Sequence, residues 1–115
     1  MDKNLVRDTI VPSSVTLLSQ EGYMVDGDGV KTTTLGDWAK GKVHLGRPAG
    51  EGSEIVIHGE TDCYCDGSSV NLAKDDPVVA GSDGCLYKAT VGTHDVRGRM
   101  CEACTSKTLA RVFLY

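Results

Sequence analysis

The sequence predicts an all-β domain, a small antiparallel β-sandwich or barrel with an extended N-terminal arm. Three observations lead there. Short runs rich in Val, Ile, Thr and Tyr recur along the chain, and these residues suit a pleated, half-buried surface. Glycine turns separate the runs: 14 of 115 residues are glycine, well above the ~7% of an average protein and without a collagen-like period. No segment sustains a 3.6-residue apolar period. A chain of this length makes one domain. Residues 1–20 read as the arm or an edge strand, and residues 21–115 as the single β domain.

The arm differs from the rest because its stretch from Asp8 to Ser14 has no glycine, and Pro12 pushes Val11 into an extended conformation. It is expected either to dock on the body or a neighbouring molecule with few core contacts, or to form a plain edge strand. Strands are then expected at Ser14–Leu18, Gly22–Val25, Val30–Thr34, Val43–Leu45, Glu54–His58, Thr61–Cys65, Val78–Val79, Cys85–Thr90 and Leu109–Leu114. Hairpin corners are expected at Asp26–Gly29, Gly50–Gly52, Asp66-Gly67 and Gly81–Gly84, where Asp-Gly or glycine supplies positive φ. One helical turn is expected near Gly36–Lys40 and another near Met100–Cys104. Trp38 is expected to plug one end of the core, with an interface anchor as the other use of a lone tryptophan. Val43–Pro48 with Glu54–His58, and Val96–Met100 with Leu109–Leu114, echo one another as two similar hairpins.

Charge and hydropathy narrow the partners. With 12 basic and 16 acidic side chains the net charge is -4, and no basic run is present. That argues against a nucleic-acid partner, since such affinity comes largely from Lys and Arg neutralising phosphates. The longest apolar run, Val112–Tyr115, is far short of a membrane span of about 20 residues, so no membrane is expected. Met1–Asp8 alternates charged and apolar residues and lacks the form of a secretory leader, so synthesis in a cytoplasm is expected.

Five cysteines, Cys63, Cys65, Cys85, Cys101 and Cys104, are then free thiols or metal ligands before they are a disulfide framework. Cys63-Tyr64-Cys65 and Cys101-Glu102-Ala103-Cys104 could make a small zinc-binding β module, although only the second pair has knuckle spacing. Simple burial as small apolar side chains is the plainer reading, and no cofactor or metal is expected. Redox use of Cys101 and Cys104 needs a following helix, whereas Leu109–Leu114 reads as a strand. His44, His58 and His94 have no sequence signal placing them beside a thiol. Asp26 and Asp28 suggest the start of a calcium loop, but Lys31 and Asp37 stand where glycine and glutamate belong, so a turn is expected. Gly46–Gly52 lacks the Lys-Ser/Thr of a phosphate cradle. No catalytic, cofactor-binding or metal residue is assigned, and no enzyme is expected.

The second half carries a family resemblance. Gly46-Arg47-Pro48-Ala49-Gly50-Glu51-Gly52 feeds Ile55-Val56-Ile57 and Gly59. Leu72-Ala73-Lys74-Asp75-Asp76-Pro77-Val78-Val79 follows, with a turn at Asp83-Gly84. Gly98-Arg99-Met100-Cys101-Glu102-Ala103 then leads to Ala110–Tyr115. Over residues 43–115 this resembles the head decoration, or capsid cement, proteins of tailed bacteriophages. That family carries a Gly-x-Ala-x-x-Ala element, an Asp-Pro-Val entry strand and a Gly-x-Ala-Leu-Glu-Ala approach to its last strand. Met100-Cys101 stands where Ala-Leu is expected, and the cysteines lie outside the pattern. The resemblance implies a non-enzymatic β-rich protein, often a homotrimer, on the outer capsid surface of the virion, made in the host cytoplasm. Its partners would be the major capsid protein and itself. Sheet edges open to strand addition are expected at Leu5–Leu18 and Leu109–Tyr115.

Overall fold

A computed structural model describes residues 3–115. Eight strands form one sheet: β1 (Lys3–Ile10), β2 (Met24–Val25), β3 (Gly41–Leu45), β4 (Ser53–Asp66), β5 (Pro77–Ala80), β6 (Leu86–Lys88), β7 (Gly98–Met100) and β8 (Lys107–Leu114). The all-β expectation holds, in its barrel form. Strands β4, β6, β5, β7 and β8 close a five-stranded ring, because β8 pairs with β4 as well as with β7. Every contact in the ring is antiparallel except the short parallel one between Cys65 and Leu86.

Strand β4 organises the molecule. Glu54–His58 and Thr61–Cys65, two strands in the sequence reading, are one 14-residue strand running through Gly59 and Glu60. Gly59 sits at φ 114°, a conformation costly for side chains with a Cβ, and marks where β4 changes partners. Before it, Ile55 and Val56 are paired on both sides, by Asp8 and Arg7 of β1 and by Val43 and Lys42 of β3. From Gly59 onward, eight successive residues of β4 pair with β8, from Gly59 with Leu114 to Asp66 with Lys107. The two sequence echoes are the two antiparallel pairs β3–β4 and β7–β8.

Two apolar clusters follow from this layout. The larger fills the barrel with Cys63, Cys65, Val78, Leu86, Met100, Val112 and Leu114, closed off by Met24, Ala39 and Leu72. The smaller gathers Ile10, Leu17, Val25, Val43 and Ile55 where β1 and β3 flank β4. Ile10 and Leu17 are buried there, which corrects the expectation of an arm with few core contacts. The reason is chain economy: β1 supplies a needed neighbour to β4, and Leu17 covers the cluster from a loop tied by its N–H to Arg47 O at 2.9 Å.

Several local expectations change. Ser14–Leu18 is a loop, and Val30–Thr34 contributes one bridge, Lys31 to Val25, because turns at Asp26 and Asp37 take up its backbone. Neither expected helical turn forms; the described residues hold one 3-10 turn, Ser82–Gly84, at the β5–β6 corner. Asp26–Gly29 is a corner as expected, with Asp26 N–H donating to Val30 O at 2.9 Å. Asp66-Gly67 is not. Gly67 is required because a Cβ there would lie 2.0 Å from Cys104 O, so the chain passes close to another backbone without turning back. Strand β8 is paired by β4 along its length and by β7 from Val112 to Leu114, so its end is no open edge. Among the described residues no helix is long and apolar enough to cross a membrane.

Candidate functional site

The cysteines were the sharpest chemical candidate, and alternation along the strands separates them. Positions 61, 63 and 65 of β4 face the barrel interior and 60, 62 and 64 face out. Cys63 and Cys65 are therefore fully buried, with Cys65 Sγ 3.9 Å from Met100 Sδ. Cys104 joins them from the loop after β7, its thiol donating to Ser106 O at 3.0 Å. Burial pushes the Cys65 thiol far above its ordinary value, and the neighbouring Cys63 and Cys104 push it further. Burial also raises Cys85. Cys101 is half-buried on the outer face, where desolvation and then Glu60 raise its thiol. All five are free cysteines. The set Cys63, Cys65, Cys101 and Cys104 is thus divided between inside and outside. Among the described residues no group of three or more His, Cys, Asp or Glu side chains is placed to share a metal ion. His44 approaches Glu54 at 3.9 Å, His58 lies edge-on to Phe113, and His94 Nδ1 accepts from Thr90 N–H at 3.0 Å.

Arg97 is a residue that sequence reasoning missed. Its guanidinium fills the gap where β4 passes from β3 to β8. Nε donates to Ala39 O at 3.3 Å, Nη2 to Lys40 O at 3.0 Å and to Ile57 O at 3.3 Å, and Nη1 to Tyr115 O. The planar fork thereby ties the loop entering β3, strand β4 and Tyr115 together.

Trp38 is the largest correction and the main surface feature. It is 69% exposed, while its neighbour Ala39, at 2%, takes the place in the barrel end expected for it. The reason is that residues 32–40 are fastened at several points that turn Trp38 outward. Thr32 Oγ1 donates to Gly81 O at 2.7 Å, Gly36 N–H to Ala80 O at 2.9 Å, and Lys40 N–H to Val25 O at 2.8 Å. Asp37 Oδ2 accepts the N–H groups of Thr33 and Thr34 at 3.0 and 2.9 Å, and these bonds hold its carboxyl below the usual range. Leu35, half exposed on the same loop, lines a groove of about 420 Å³ with Val70, Tyr87 and Ala89. Trp38 itself borders two smaller hollows. One is shared with Asp26, Val30 and Asp37, the other with Asp37, Asp95 and Arg97. An outward tryptophan on a fastened loop is an arrangement suited to binding.

Comparison with known proteins finds no matching family and no matching curated protein.

Proposed function

We propose that this chain is a head decoration protein of a tailed bacteriophage, a non-enzymatic homotrimer that binds the outside of the major capsid protein lattice and stabilises it. The observation that carries the reading is the exposed, fastened loop bearing Leu35 and Trp38. Tryptophan is among the strongest anchors of protein interfaces, and here the loop holds it outward, 69% exposed. Further support comes from the segments that carry the family resemblance. Gly46–Gly52 joins β3 to β4, Asp76-Pro77-Val78 enters β5, and Gly98–Met100 leads through the barrel to β8. Strand addition along β1 is the weaker route to a partner. Its register shifts twice against β4, between Lys3 and Arg7, and it exposes Arg7 and Asp8, features that discourage further pairing.

A ligand that binds only the assembled shell stabilises it by mass action, and many weak copies on one lattice act multivalently. The test is the melting temperature of expanded heads with and without the purified protein. A rise that saturates with protein supports the reading. Failure to sediment with the heads, with unchanged melting, overturns it.

A further inference from the structure

We infer that the Trp38 surface is built for a protein partner presenting an apolar socket with a rim of lysine and arginine, an inference that rests on the lattice-binding reading above. Three carboxylates flank the exposed indole: Asp26 across one hollow, Asp95 across the other, and Asp37 common to both. None of the three forms an ion pair among the described residues. Two cations line the same hollows, Lys31 the first and Arg97 the second, and each is held by other partners. Lys31 is 3.1 Å from Asp83 and lies over the Tyr23 ring, Lys40 is 3.1 Å from Asp8, and Arg97 is turned onto main-chain carbonyls. The face is therefore a hydrophobic knob whose two hollows hold three carboxylates against two cations, a rim with a net negative excess. Its complement is an apolar pocket in a positive ring, because like charge across an interface is costly and opposite charge sets encounter and register. The same negative rim repels phosphates, so a nucleic acid or an anionic membrane fits this face poorly. Asp37 is held by two N–H groups and the loop is tied down at both ends, so little ordering is required on contact.

The experiment uses expanded heads stripped of decoration protein and exploits Trp38 as the single tryptophan of the chain. Wild-type protein is titrated with heads while acrylamide quenching of Trp38 is followed. In parallel, cosedimentation is measured for wild type, Trp38→Ala and Asp95→Lys. Asp95 is exposed and makes no hydrogen bond among those described, so its reversal leaves the fold intact, which an unchanged melting temperature verifies. The expected result is protection of Trp38 on the heads and a loss of affinity of about tenfold or more for Trp38→Ala. Asp95→Lys should bind more weakly, and raising salt from about 50 to about 500 mM should weaken wild type more than this variant. If wild type binds while Trp38 stays quenchable and both variants bind equally, this surface assignment is wrong and the decoration reading stands. If wild type does not bind at all, both fall.

Discussion

Arg97 shows how one side chain can hold a strand junction. Its donors meet carbonyls from three places in the chain, and burial lowers its pKa from the ordinary arginine value. Arg97→Ala would leave those carbonyls to whatever water reaches the gap. The expected cost is about 2–4 kcal/mol, below the sum of the separate bonds because water replaces part of them. Arg97→Lys should recover little, since an ammonium cannot span a fork. Urea unfolding measures both; a loss under about 1 kcal/mol for Arg97→Ala would show the junction held by β-pairing alone. The thiols give a second residue-scale expectation. At pH 8 a thiol reagent should label Cys101 first and slowly, with Cys63, Cys65, Cys85 and Cys104 reacting on denaturation, because those four are buried from the reagent and the Cys101 thiol, raised by desolvation, gives little reactive thiolate. Rapid labelling of two or more thiols in the native protein would contradict the placement of these side chains.

At the scale of elements, β8 and β1 should respond differently to damage. Val112 and Leu114 are fully buried in a strand paired on both sides, so Val112→Asp puts an unpaired charge in the barrel and should abolish folding. Removing residues 2–10 instead takes one neighbour from β4 and Ile10 from the smaller cluster, leaving the five-stranded ring closed. The truncated protein should fold with a lower melting temperature, and circular dichroism on heating distinguishes the two outcomes. This contrast also marks what was legible in the sequence. Leu109–Leu114 was readable as a strand from its β-branched and aromatic residues, but its two neighbours were not, because ring closure depends on partners far along the chain. Glu54–His58 and Thr61–Cys65 read as two strands since Gly59 interrupts the apolar pattern; in the fold that glycine, at positive φ, lies inside one strand instead of ending it. Alternation put Cys63 and Cys65 on one face, and the barrel interior is that face. Arg97 left no sequence signal, because its partners are carbonyls, which every residue has. Trp38 was misjudged since six aromatics seemed scarce for a core, whereas Met24, Leu72, Leu86 and Met100 fill the barrel without it.

For the whole molecule, acidic and alkaline limits of stability follow from groups whose proton affinity changes on folding. On the acid side, Asp83 is held below the ordinary carboxylate value by Lys107 and then Lys31, Asp66 by the hydroxyl and N–H of Ser68, Asp37 by Thr34 and Thr33, and Asp8 by Lys40. The unfolded chain binds protons at these sites before the folded one does. Their contribution is therefore fully present above the ordinary value of 3.8 and is lost as pH falls through it towards the lower folded values. All four sites lie near the surface, so each effect is small and weakens with salt. On the alkaline side the signs reverse. Cys65, Cys85 and Cys101 keep their protons above the ordinary thiol value of 9.0, at which the unfolded chain begins to lose them. Unfolding thus becomes easier as pH rises past that point, and the interior Cys65 dominates because desolvation raises it most strongly. The melting temperature should form a plateau between about pH 4 and pH 9 and fall on both sides. Cys65→Ala isolates the alkaline limb. It should lower melting at neutral pH, because a buried thiol is replaced by a smaller group, yet flatten the fall above pH 9. If the variant keeps the same alkaline slope as wild type, proton loss from this thiol does not set the limit.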